Sequence, residues 1–157
     1  MKTEINKQAK LSQHFTLGEL CKTSVKTKDG NIPSHVAIEN MKRLTGWLEM
    51  LRSEWNNRYG DGDDPIIINS GYRSPAVNKA VGGVTTSNHL TGCAVDIRVL
   101  GMELLRRYAV ILLAISDESQ EPFDELLIER TSKGSSGLHF AVRPEGNRRK
   151  IRLKENG

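Results

Sequence analysis

The sequence has little of what marks most specialised classes of protein. No apolar run approaches the ~20 residues a membrane-crossing helix needs, so membrane insertion is not expected. The two cysteines, Cys21 and Cys93, stand 72 positions apart. That spacing excludes a dense disulfide framework and the close thiolate pairs of structural zinc sites, and both are read as reduced, structural residues. Residues 1–10 are polar and carry no apolar h-region, so cytoplasmic synthesis without a secretory signal is expected. The Asp/Gly cluster at 59–65 lacks the spacing and closing Glu of an EF-hand and reads as a plain turn rather than a calcium loop. No internal repeat is present.

What remains is ordinary globular material. With 157 residues, 37% hydrophobic and 27% charged, the chain is expected to form one domain over 1–157, with 1–10 and about 144–157 as flexible tails. The net charge is +4, and much of the excess falls in Arg143, Arg148, Arg149, Lys150, Arg152 and Lys154. Such a cluster reads either as a solvated tail or as an adhesive patch for an anionic surface, cell-wall polymer or nucleic acid among them. Neither aromatic interleaving nor a recognition-helix pattern accompanies it, which argues against nucleic acid.

Periodicity divides the chain into elements. Thr16 with Glu19 has the spacing of a capping box at a short helix. Ile38, Met41, Leu44, Leu48, Leu51 and Trp55 recur at steps of three and four, predicting one helix that opens at Ser34. Ile66–Ile68 is a β-branched run, and Ser74-Pro75 opens a short helix through about Ala80. A strand is expected over 94–99 and a helix from Met102 to Ile115. Residues 125–129 and 138–142 read as strands joined by a Ser/Gly-rich turn. The fold class is therefore α+β, with N-terminal helices packed on a small, mainly antiparallel sheet.

Chemistry concentrates in Ser87-Asn-His-Leu-Thr-Gly-Cys-Ala-Val-Asp96. His89 and Asp96 converge if the chain turns at Gly92 and re-enters as a strand. A neutral imidazole and a hard carboxylate oxygen, joined by a second His, leave one position open on a zinc ion, as catalytic sites do. His139 can be that third ligand, because Leu138 and Phe140 point to the other face of its strand. On spacing alone both signals are weak: such pairs arise by chance, and a strand His is more often a hydrogen-bonded core residue.

Four ordered segments carry a resemblance. Ser87-x-His89-x-x-Gly92-x-Ala94-x-Asp96 resembles the zinc signature of the D-Ala-D-Ala carboxypeptidase family, which also contains phage endolysin endopeptidases and has a hedgehog-like zinc peptidase fold. Residues 11–20 resemble its entry segment, Asn69-Ser-Gly-Tyr-Arg-Ser74 its Ser-Gly-Tyr-Arg-Ser turn, and 123–129 with 138–140 its final strand pair. The resemblance implies Zn2+ held by His89, Asp96 and His139, and hydrolysis of peptidoglycan stem peptides at a terminal D-Ala or at an internal bond. It also implies action at the cell wall, with release by a phage as one route. Arg73 then grips a substrate carboxylate or oxyanion, or else ties down its own turn, and Ser87 binds substrate or stabilises its loop.

One departure matters. Relatives place a catalytic Glu three residues before the last His, where this chain has Ser136. Glu129, on the preceding strand, is the expected general base; Asp124 and Glu125 rank below it, although Glu125 shares the strand face of Glu129. The missing Glu also keeps open an inactive, zinc-containing wall-binding or phage structural module. Spacing leaves the oligomeric state undetermined.

Overall fold

The computed structural model describes residues 4–131 and 136–156. Thr16 caps α1 (Leu17–Leu20) through the expected reciprocal box: its hydroxyl accepts from Glu19 N, and the Glu19 carboxylate accepts from Thr16 N. Ser34 caps the long α2 (His35–Arg58) by accepting from Ala37 N at 3.1 Å. Met41, Leu44, Leu48 and Leu51 of its stripe are fully buried, and Ile38 and Trp55 pack at the margin. β1 (Ile68–Ser70), α3 (Pro75–Ala80), a 3-10 turn (Asn88–Thr91) and β2 (Ala94–Arg98) follow. The chain then forms α4 (Met102–Ser119), β3 (Glu125–Thr131), β4 (Ser136–Ala141) and β5 (Lys150–Asn156).

The five strands form one sheet in the order β1-β2-β4-β3-β5, antiparallel except for the β3–β5 pair. Register gives the sheet two unlike faces. Val95, Phe140 and Leu126 align across β2, β4 and β3, and all three are buried in the core with α2 and α4. Trp47 of α2 meets Phe140 at 5.6 Å between ring centres. One residue along, Asp96, His139 and Leu127 align instead, and these side chains stand on the opposite face. The α+β architecture expected from the sequence is therefore present, and the polar residues occupy the face that the helices leave free.

Two segments depart from the expectation of tails. Residues 4–10 are tied in by Leu17 N donating to Ala9 O and Gly18 N to Lys7 O, while Ile5 and Ala9 pack on the core. Residues 150–156 form β5, paired with β3 from Glu125↔Lys150 to Thr131↔Asn156. The cause is main-chain pairing rather than burial, since Ile151 and Leu153 remain exposed. The Ser/Gly-rich turn joining β3 and β4 lies largely outside the described residues. No described helix is long and apolar enough to cross a membrane.

Candidate metal centre

His89 sits on the 3-10 turn, whose geometry depends on Gly92. Gly92 adopts φ +74°, and a Cβ there would come within 2.5 Å of the Ala37 carbonyl oxygen. Only glycine takes this left-handed position without strain and allows α2 so close. The turn is further held by Ser87, whose hydroxyl accepts from His89 N at 3.1 Å, and by Arg73 N donating to His89 O at 3.0 Å. Asp96 projects from β2, and its register partner His139 projects from β4 beside it.

His89, Asp96 and His139 offer ligand atoms that all lie within 4.8 Å of one another. Their protonation pattern is informative. His89 Nδ1 lies 2.7 Å from Gly71 O; a carbonyl only accepts, so Nδ1 carries a proton, and in the neutral ring Nε2 keeps its lone pair. That lone pair faces Asp96 Oδ2 at 3.4 Å. His139 Nε2 lies 3.1 Å from Glu125 Oε1 and Nδ1 lies 3.0 Å from Asp96 Oδ1. With Nε2–H donated to Glu125, Nδ1 likewise directs a lone pair at Asp96. Two nitrogen lone pairs converging on one carboxylate repel unless a proton or a cation sits among them. The donor set, two imidazoles and a carboxylate, suits zinc, and the two spacings from Asp96, 3.4 and 3.0 Å, are near the edge of about 3.4 Å that follows from zinc–ligand distances of about 2.1 Å. Glu125 and the Gly71 carbonyl orient the two rings in the way that partners of metal-bound histidines do.

Without a metal, a proton on His139 fills that role. Burial works against a charged His139, yet hydrogen bonds to Asp96 and Glu125 raise its pKa to about 9. Burial also works against a charged Asp96, but His139 and His89 hold its carboxyl well below the usual range. The His139 hydrogen bond brings Glu125 down to about 2 against the opposing effect of burial.

A cleft of about 710 Å³ opens over the cluster, lined by Arg73, Ser87, Glu125, Glu129 and Arg143 as well as the three candidate ligands. Of the residues expected at the site, His89, Asp96 and His139 thus come together, and Arg73 joins them with Nη2 3.5 Å from Asp96 Oδ2. Ser87 faces the cleft while capping the turn. Glu129 lines the cleft and forms no ion pair among the described residues. Glu125, ranked below Glu129 from the sequence, is the one of the two that touches His139. Sequence reasoning missed Asn88, whose amide donates to Asp124 Oδ2 at 2.8 Å and Glu125 Oε1 at 2.7 Å. Its position beside His89 was the available signal. It also missed Arg143 and Arg148 as cleft residues, because a cluster of charges does not reveal its partners.

Comparison with known proteins gives two findings. A family model described as peptidase M15 matches residues 13–113. A zinc D-Ala-D-Ala carboxypeptidase of Streptomyces albus G is 33% identical over 85 residues, 54% of this chain. The aligned part spans 31% of that relative's length.

Proposed function

The chain belongs to the peptidase M15 family, and from that premise we propose that it is a zinc-dependent peptidase acting on the stem peptides of bacterial peptidoglycan. The observation that carries the reading is the convergence of two imidazoles and one carboxylate in an open cleft. The similar protein from Streptomyces albus G supplies the substrate class by its name, zinc D-Ala-D-Ala carboxypeptidase.

His89, Asp96 and His139 would hold the zinc. A zinc ion there would supply Lewis acidity toward the scissile carbonyl and the attacking water. Glu125 keeps the His139 ring turned and its Nε2 protonated. Glu129, which lines the cleft on the strand face of His139, accepts the proton from the attacking water and returns it to the leaving amine. Arg73 offers its guanidinium to the oxyanion or to a substrate carboxylate. It also lines a second cavity of about 250 Å³, so a chain held at Arg73 can end there or continue past it. The finer choice between terminal and internal cleavage turns on that point.

The test is incubation of purified peptidoglycan with the protein, with and without chelator, followed by mass spectrometry of the released ends. Chelator-sensitive release of D-Ala or of cross-link fragments is expected, and each product names the bond cut. Ser136 is the observation that favours the second reading, a zinc-containing wall-binding module without hydrolytic activity. One equivalent of bound zinc with no released ends would establish that alternative.

A further inference from the structure

At the far end of the cleft from Arg73, two arginines are fixed from beneath by one carboxylate. Asp124 is fully buried and accepts from Arg148 Nε at 3.0 Å and Nη2 at 2.9 Å. The same carboxylate takes Arg143 Nε at 3.2 Å and Asn88 Nδ2 at 2.8 Å. Asp124 and the neighbouring Glu125 balance the two guanidinium charges, so what this wall has to spare is hydrogen-bond donors. Arg143 uses only Nε, shared between Asp124 and Asn88 Oδ1 at 2.9 Å. Its Nη1 and Nη2 make no hydrogen bond or ion pair among the described residues, and Arg143 and Arg148 both line the cleft.

The order across the cleft is informative. Arg73 stands beside Asp96, followed by His139 and Glu125, and then Arg148, with Nη2 3.7 Å from Glu125 Oε2. Cationic groups thus flank the metal centre on both sides. A structural clamp on Asp124 would need Arg148 alone, since it already gives two hydrogen bonds. Arg143 instead presents the unused prongs of a planar donor fork that matches a carboxylate.

Resting on the peptidase reading above, we infer that Arg143 and Arg148 form a second carboxylate-binding subsite. It takes a free carboxylate of the substrate peptide on the opposite side of the scissile bond from the group held at Arg73. The enzyme thereby selects peptides bearing a free acidic group on each side of that bond, and discriminates against peptides in which the far one is amidated.

The probes are two stem pentapeptides that differ only in whether the α-carboxylate of the γ-linked glutamate is free or amidated. With the zinc-loaded enzyme, kcat/KM is expected to favour the free acid by about tenfold, through KM, as one charge-assisted hydrogen bond implies. Arg143→Gln should bring the preference to about one, and Arg143→Lys should restore only part of it, because the point charge lacks the fork. Arg149→Gln, whose guanidinium pairs with Asp117 instead, should keep the preference. Equal cleavage of both peptides by the unaltered enzyme would overturn the subsite and leave the peptidase reading standing. If neither is cut but the free acid binds more tightly in calorimetry, the peptidase reading fails and the subsite survives. A preference that persists in both Arg143→Gln and Arg148→Gln would refute the assignment.

Discussion

On one wall of the cleft, His89 and Arg73 are fixed by main-chain bonds: Arg73 N to His89 O, and Gly71 O to the His89 ring. On the other wall, Arg143 and Arg148 are fixed by side chains gathered on the buried Asp124. The first arrangement is built on backbone and is rigid, and a Cβ on Gly71 would already collide with the Leu20 carbonyl. The second joins residues 24 positions apart through charge, and its arginine side chains are 33% and 46% exposed. Rigid backbone suits metal ligands, which must meet a fixed coordination geometry. Longer, hydrated side chains suit a substrate-reading wall. His139 and Glu125 lie at the junction of the two walls, so substitutions running outward from the metal should separate their contributions.

The largest effect is expected at the metal itself. His139→Ala should abolish stoichiometric zinc, measured by metal analysis after dialysis, and reduce peptidoglycan cleavage to background. Next comes Glu129→Gln, which should lower kcat by about 10²–10⁴-fold while zinc is retained, the range for loss of a general base. Full activity in a zinc-loaded Glu129→Gln protein would move the proton acceptor elsewhere. Glu125→Ala should weaken zinc binding by about 10–100-fold in a chelator competition, because the His139 ring loses the partner that orients it. Glu125→Gln, which keeps an acceptor oxygen, should fall less. Unchanged affinity in both would mean that the junction contributes nothing to the metal wall.

The same contrast explains what could be read from the sequence. His89 and Asp96 stand seven positions apart around a glycine, and the alternation of Leu138, His139 and Phe140 assigns His139 to the polar face. Local pattern put these residues on one face and the four ordered segments of resemblance singled them out, whereas the caps at Thr16 and Ser34 were readable from pattern alone. Glu125 and Glu129 posed a harder problem. Both share the face of His139, and the register centres Leu127 opposite it, so the two glutamates flank it symmetrically along β3. Side-chain direction, which periodicity does not encode, then brings Glu125 to the ring. β5 was not legible because its alternating Ile151 and Leu153 are not buried, and because parallel pairing with β3 is a long-range event. Arg143 and Arg148 looked like part of a solvated tail for the same reason: their partner Asp124 lies far back in the chain, just ahead of β3.

The smallest expected effect tests the charge-built wall alone. Burial on its own would raise the Asp124 pKa, but hydrogen bonds from Arg148 and Asn88, with the charge of Arg143, hold it below the usual carboxylate value. A depressed folded-state pKa means that ionised Asp124 stabilises the fold fully above its unfolded value of about 3.9. That contribution is lost as pH falls through the lower folded value. Asp124→Asn should therefore cost about 1–2 kcal/mol near pH 7, toward the low end for a charged hydrogen-bond partner because the arginines are partly hydrated. Melting curves of the two proteins should converge as the pH is lowered. A gap that stayed constant into strong acid would show that shape, not charge, holds Asp124 in place. Zinc affinity should be nearly unchanged, since none of the three ligands touches Asp124, whereas discrimination between free and amidated peptides should fall. Loss of zinc in this variant would mean that the walls are coupled, with Asn88 as the link through Glu125 to His139.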